Sequence, residues 1–264
     1  MDAHDPTAGN GAAPGAEQLP FIRVTGLEKS FGGKPILRGI DLEVRHGETL
    51  VILGGSGEGK SVLLRHLNGL LMPDRGTVIV GGRNLALLDE DQLAALRKEV
   101  GMVFQLGALF DSMTVYENVS YPLHEHSAMA EEQIHARVRE LLAMVQLDGV
   151  DGVEELLPAE LSGGMKKRVA IARTLALEPH AVLYDEPTTG LDPLVAHRIS
   201  VQMRELQERL GLTSVVVTHD LKNAFVVGDR FALLYHGKIR VSGTADEVRA
   251  SRDELMQDFL KTAL

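Results

Sequence analysis

Short apolar runs separated by amphipathic stretches set the rhythm of this chain. From Phe21 onward, "FIRVTGL" (21–27), "IDLEV" (40–44) and "GTVIVGG" (76–82) read as strands, and "TLVIL" (49–53) is a continuous apolar run that ends in a glycine-rich loop. Further buried-strand patterns are "VGMVF" (100–104), "AVLY" (181–184), "TSVVVT" (213–218) and "FALLYH" (231–236). Apolar residues at helical spacing predict helices over "KSVLLRHLNGLLM" (60–72), stopping before Pro73, and over 131–146, 164–177 and 193–210. Asp192 is placed to cap the last of these, with Pro193 at its first position. Strands alternating with helices predict an α/β fold, a mostly parallel sheet with helices on both faces. Residues of about 106–175 break the alternation and read as a largely helical, inserted subdomain.

Composition narrows the picture. A chain of 264 residues, 44% hydrophobic, can bury one substantial α/β domain. The first 20 residues, rich in Ala, Gly and Pro and lacking Lys and Arg, read as a disordered tail, and 21–264 as the domain. With 27 Lys+Arg against 37 Asp+Glu and no basic tract, nucleic acid is excluded as the main partner, because that binding needs clustered cations. The absence of cysteine excludes disulfides and thiolate metal sites. No apolar run approaches the roughly 20 residues that span a bilayer, and the tail lacks the features of a secretory signal. The expectation is a soluble chain in the cytoplasm.

Candidate chemistry lies at the strand ends. "GGSGEGKS" (54–61) fits the phosphate-loop pattern G-x-x-x-x-G-K-[ST] at every fixed position, between a strand and a helix. Backbone N–H groups of Gly54, Gly55, Ser56, Gly57, Glu58 and Gly59 would cradle phosphate oxygens, and Lys60 would reach the β/γ-phosphates. Ser61, followed by Val62, leaves a single hydroxyl for Mg²⁺. Glu58 is a negative residue in such a loop, tolerable if its side chain points outward. "AVLYDEP" (181–187) ends an apolar strand with two carboxylates: Asp185 suits a Mg²⁺ shell, and Glu186 can polarise a water attacking a γ-phosphate. His219 stands just past "TSVVVT", where it can touch the same phosphate. "ELSGGMKKRVAIAR" (160–173) adds a second anion-binding opening, a helix start with Ser162 as cap and bare Gly163 and Gly164.

Together these motifs resemble the nucleotide-binding subunit of ABC transporters, over residues 21 to about 264. "LSGGM" (161–165) is similar to the family's signature, with Met165 in place of the usual Gln; "YDEPTTGLDP" (184–193) matches its Walker B strand end and D-loop; Gln105 in "VFQ" matches the Q-loop, His219 the switch histidine, and Phe31 the aromatic set against adenine. The resemblance implies a P-loop NTPase (RecA-like) core with an N-terminal antiparallel β subdomain and an inserted helical subdomain. It implies ATP and Mg²⁺ as cofactors, with Gln105 joining Ser61 and Asp185 at the metal. It also implies a head-to-tail homodimer in which Ser162, Gly163, Gly164 and Asp192 of one copy face the ATP held by the other. A separate transmembrane permease would dock in the groove near 105–123, holding the subunit on the inner face of the cell membrane. "GALF" after Gln105, "LSGGM" and "LMQDFL" (255–260) resemble the ATPases of Mla/Mce-type phospholipid transport systems. The competing expectation is an importer ATPase for amino acids or other small polar solutes.

Overall fold

The structure, a computed structural model, describes residues 19–261; the expected tail lies almost wholly in residues 1–18, outside the described residues. The chain begins with β1 (Ile22–Phe31) and β2 (Lys34–Val44), then β3 (Thr49–Leu53), α1 (Lys60–Leu67), β4 (Arg75–Val80), β5 (Arg83–Asn84), α2 (Glu90–Glu99) and β6 (Val100–Val103). Between β6 and β7 (Ala181–Asp185) come α3 (Val115–His126), α4 (Glu131–Met144) and α5 (Gly163–Leu175), with no strand. The remainder is α6 (Pro193–Leu210), β8 (Thr213–Thr218), α7 (Leu221–Val227), β9 (Arg230–Tyr235), β10 (Lys238–Thr244), α8 (Ala245–Arg249) and α9 (Glu254–Lys261).

Two sheets result. β2-β1-β4-β5 is antiparallel, and β10-β9-β3-β8-β7-β6 is parallel except for β10, which pairs antiparallel with β9. The large sheet separates two cores, because strand side chains alternate faces. On β3, Leu50 and Ile52 pack with α1 and the antiparallel sheet, whereas Val51 and Leu53 pack with the apolar faces of α3 to α7. All five residues of β3 and of β7 are buried, which is why 50–53 and 181–184 are unbroken apolar runs.

Register decides what the fold presents. Leu53 lies opposite Thr218 and Asp185 opposite Val217, so the chain leaves β3, β8 and β7 side by side at one carboxyl edge. The loops that follow carry Gly54, His219 and Glu186, and this is the edge where open α/β sheets bind ligands.

Boundaries differ from the sequence pattern most in two places. The helix expected over 60–72 ends at Leu67, because Gly69 turns the chain at φ +69° and Leu71 N–H bonds back to Arg65 O. The strand expected from residue 40 begins at Lys34; the irregular β1–β2 register there hides the alternation.

Candidate nucleotide-binding site

The loop from β3 into α1 is shaped by its glycines. Gly59 sits at φ +100°, and a Cβ there would come within 3.0 Å of both Ile36 and Leu37. A Cβ on Gly54 would lie 2.7 Å from Leu234 O, so only glycine lets the loop leave the strand edge this closely. Gly59 caps α1 without a side chain, and the helix has no acidic residue in its first turn. By contrast, α2, α3 and α8 carry capping boxes that satisfy their first N–H groups. The start of α1 is therefore left open to an external anion.

Around this loop lies a cleft of about 600 Å³ lined by Phe31, Ile36, Gly55, Ser56, Gly57, Gly59, Lys60, Ser61, Val62, Gln105, Glu186 and His219. All but Ile36 are candidates read from the motifs. Ile36 escaped because it belongs to the irregular start of β2 and carries no motif. Phe31 is 46% exposed, with the Lys29 ammonium 5.6 Å from its ring centroid, so the exposed part of the ring can stack on a planar ligand.

Charge converges on Glu186. Lys60 Nζ donates to Gly54 O (2.9 Å) and Gly55 O (3.0 Å) and lies 3.1 Å from Glu186 Oε1. Glu186 Oε2 is bonded by His219 Nδ1 at 2.9 Å and by the Thr189 hydroxyl at 3.0 Å. Glu186 adopts φ +48°, unusual for a residue with a Cβ, and its N–H bonds Val217 O. Burial is the largest single influence on its carboxyl and opposes ionisation. The His219 hydrogen bond and the Lys60 ammonium together outweigh burial and hold the pKa below the ordinary glutamate value. A buried carboxylate kept ionised and fixed in place can accept a proton from a water lodged in the cleft. Thr189 was not legible as a partner, although it follows Glu186 by three residues in "DEPTTG".

The Ser61 hydroxyl donates to Asp185 Oδ1 at 2.7 Å, placing two hard oxygen ligands beneath the loop. No group of three or more His, Asp or Glu among the described residues is placed to hold a metal unaided. This donor set fits Mg²⁺, which takes one or two protein oxygens and completes its shell with phosphate and water.

Other candidates stand apart. Glu58 points away from the cleft, accepting the backbone N–H of His236 with one oxygen, as tolerance of a negative residue requires. Gly54 lies beneath the cleft rather than in its lining. Ser162, Gly163, Gly164 and Asp192 do not line the cleft of their own chain. Ser162 caps α5, accepting Met165 N–H at 3.2 Å, and Asp192 caps α6, accepting Leu194 N–H at 2.9 Å. The two helix starts touch: a Cβ on Gly164 would meet Val195 Cγ1 at 2.6 Å, and one on Gly163 would meet Leu191 at 3.1 Å. Ser162, Gly163, Asp192 and Leu194 are exposed there as one surface, while the partly buried Met165 side chain packs against the core. In the stretch 105–123, Leu106 and the tilted pair Phe110 and Tyr121 are exposed, and Val115, Val119 and Leu123 are buried. Among the described residues, no helix is long and apolar enough to cross a membrane.

A family model described as ABC transporter matches residues 37–189. The chain is 42% identical to the chloroplastic protein TRIGALACTOSYLDIACYLGLYCEROL 3 of Arabidopsis thaliana, over 92% of this chain and 74% of that one. It is 36% identical to the intermembrane phospholipid transport system ATP-binding protein MlaF of Haemophilus influenzae, over 91% and 90%. It is 45% identical to the sulfate/thiosulfate import ATP-binding protein CysA of Xylella fastidiosa, over 86% of this chain but only 64% of that relative. Among solved structures, the dimeric, post-hydrolysis ATP-binding cassette MJ0796 bound to ADP and Pi superposes with a TM-score of 0.77 at 34% identity, covering 84% of this chain and 98% of that one.

Proposed function

Because the chain belongs to the ABC transporter family, we propose that it is the ATP-hydrolysing subunit of a system moving phospholipid or a related lipid between membranes. It works as a homodimer on a separate permease, peripheral to the inner face of the cell membrane, and the exposed apolar surface of Leu106, Phe110 and Tyr121 receives the permease. The observation that carries the catalytic reading is the convergence of Lys60 and His219 on the buried, ionised Glu186.

In this reading Phe31 stacks on adenine, and the loop N–H groups with Lys60 hold the phosphates. Ser61, Asp185 and Gln105 hold Mg²⁺, which when bound neutralises phosphate charge. Glu186 takes the proton of the attacking water, and His219 fixes its carboxylate while facing the γ-phosphate. Ser162, Gly163, Gly164 and Asp192 complete the site of the partner copy, so the γ-phosphate joins two chains. Its loss on hydrolysis parts them.

Lipid as cargo is favoured by near full-length similarity to MlaF and by "GALF" and "LSGGM". The similarity to CysA favours a second reading, an importer of small polar solutes. Co-purification from native membranes separates them: a permease with bound lipid supports the first. A permease paired with a receptor for polar solutes overturns it.

A further inference from the structure

Among the described residues, a buried cation lies outside the nucleotide cleft. Lys167, on the first turns of α5, is only 6% exposed, and its ammonium donates to the main-chain oxygen of Gln105. Six residues on, Arg173 Nη2 donates to Gly107 O at 2.9 Å, so two cations of one helix grip the same turn by its carbonyls. The turn is bent to meet them: Gly107 has φ +79° and Ala108 φ +48°, and a Cβ on Gly107 would touch Ala170 of α5 at 3.5 Å. Burying an ammonium is costly unless opposite charge compensates it. Burial does lower the Lys167 pKa, but Asp185 and Glu186 act against that shift, so the cation leans on the carboxylates of the nucleotide site.

We propose that Lys167 is a positioning residue that fastens Gln105, at the cleft of its own chain, to helix α5, whose N-terminus serves the cleft of the partner. The proposal rests on the dimeric ATP reading above. Under that reading Gln105 and Ser162 meet different nucleotides, and α5 is the element they share. The Lys167 tether makes them move together, so that filling one cleft orients the opening offered to the other. A side chain that served only to fill space here would need neither the charge nor the donor.

The test compares Lys167→Met, which keeps length and loses the donor, with Lys167→Gln, which keeps an N–H donor without charge. Each is made in the full chain purified with the membrane partners it retains. Lys167→Met should lower kcat at least tenfold while the Kd for a fluorescent ATP analogue stays within about twofold, and Lys167→Gln should recover half or more of kcat. In a Glu186→Gln background, Lys167→Met should raise the ATP concentration for dimerisation at least tenfold. Full activity in Lys167→Met, or equal loss in Met and Gln with equal falls in melting temperature, overturns the proposal. Failure of Glu186→Gln alone to dimerise with ATP overturns the dimeric reading and this proposal with it. Dimerisation unaltered by Lys167→Met overturns the proposal alone.

Discussion

Lys60 and Glu186 hold each other: Nζ lies 3.1 Å from Oε1, and the remaining ammonium hydrogens go to Gly54 O and Gly55 O. An ammonium has three donors, and all three are engaged. The other carboxylate oxygen is held by His219 and Thr189. Under the proposed mechanism, a phosphate that draws Lys60 away frees Oε1 of Glu186 to accept a proton. Lys60→Ala should weaken ATP binding by tenfold or more and abolish turnover, as read by equilibrium binding and phosphate release. Unchanged affinity would remove Lys60 from the site.

Replacing the proposed base while keeping its shape separates binding from chemistry. Glu186→Gln should bind ATP within a few-fold of wild type, hydrolyse it about 10²–10⁴ times more slowly and accumulate as a dimer. Single-turnover hydrolysis and size-exclusion chromatography measure both, and normal turnover would show that Glu186 is not the base.

The same carboxylate predicts an acid sensitivity. Its folded-state pKa lies below the reference value of 4.5, so the stability it contributes is complete above the unfolded-state pKa and is lost as pH falls through the lower, folded-state value. The nucleotide-free wild type should therefore lose melting temperature more steeply below pH 4.5 than Glu186→Gln does. Parallel acid slopes for the two proteins would contradict this.

Ser162→Arg should leave one ATP bound per chain yet block closure and hydrolysis, because the added bulk falls on the exposed surface shared with Asp192 and Leu194 rather than in the cleft of its own chain. Nucleotide stoichiometry together with turnover checks it. Wild-type hydrolysis in this variant would sink the shared site.

Gly164→Ala places a methyl 2.6 Å from Val195 Cγ1 and should destabilise the chain by about 1–3 kcal/mol while shifting the starts of α5 and α6 apart. Adding Val195→Ala should restore most of both stability and turnover. A double variant no better than the single one would mean that the two helix starts are not in contact.

Much of the site was legible because its chemistry tolerates few residue types at fixed spacing: the phosphate loop, the carboxylate pair after β7 and the histidine after β8. What stayed hidden depends on contacts between distant segments. Lys167 sits in "MKKR", where its neighbour Lys166 has the same chemistry but is only partly buried; contact of α5 with the Gln105 turn distinguishes them. Glu58 seemed out of place until His236, from the β9–β10 turn, supplied its partner. The apolar spacing of Leu70, Leu71 and Met72 prolonged a helix that Gly69 had already turned. Within the region of about 106–175 read as largely helical, α3 was given no bounds of its own, although its Thr114–Glu117 capping box announces its start.

The placement of β3 also governs when the site can exist during synthesis. Thr49 pairs with Ser214 and Leu50 with Arg230, so the strand feeding the phosphate loop has no ladder partner until β8 is made. The nascent protein carries its phosphate loop early and cannot hold it in shape until β8 and β9 follow. A ribosome stalled before residue 213 should display the motif without binding nucleotide, because neither neighbour of β3 has yet been made.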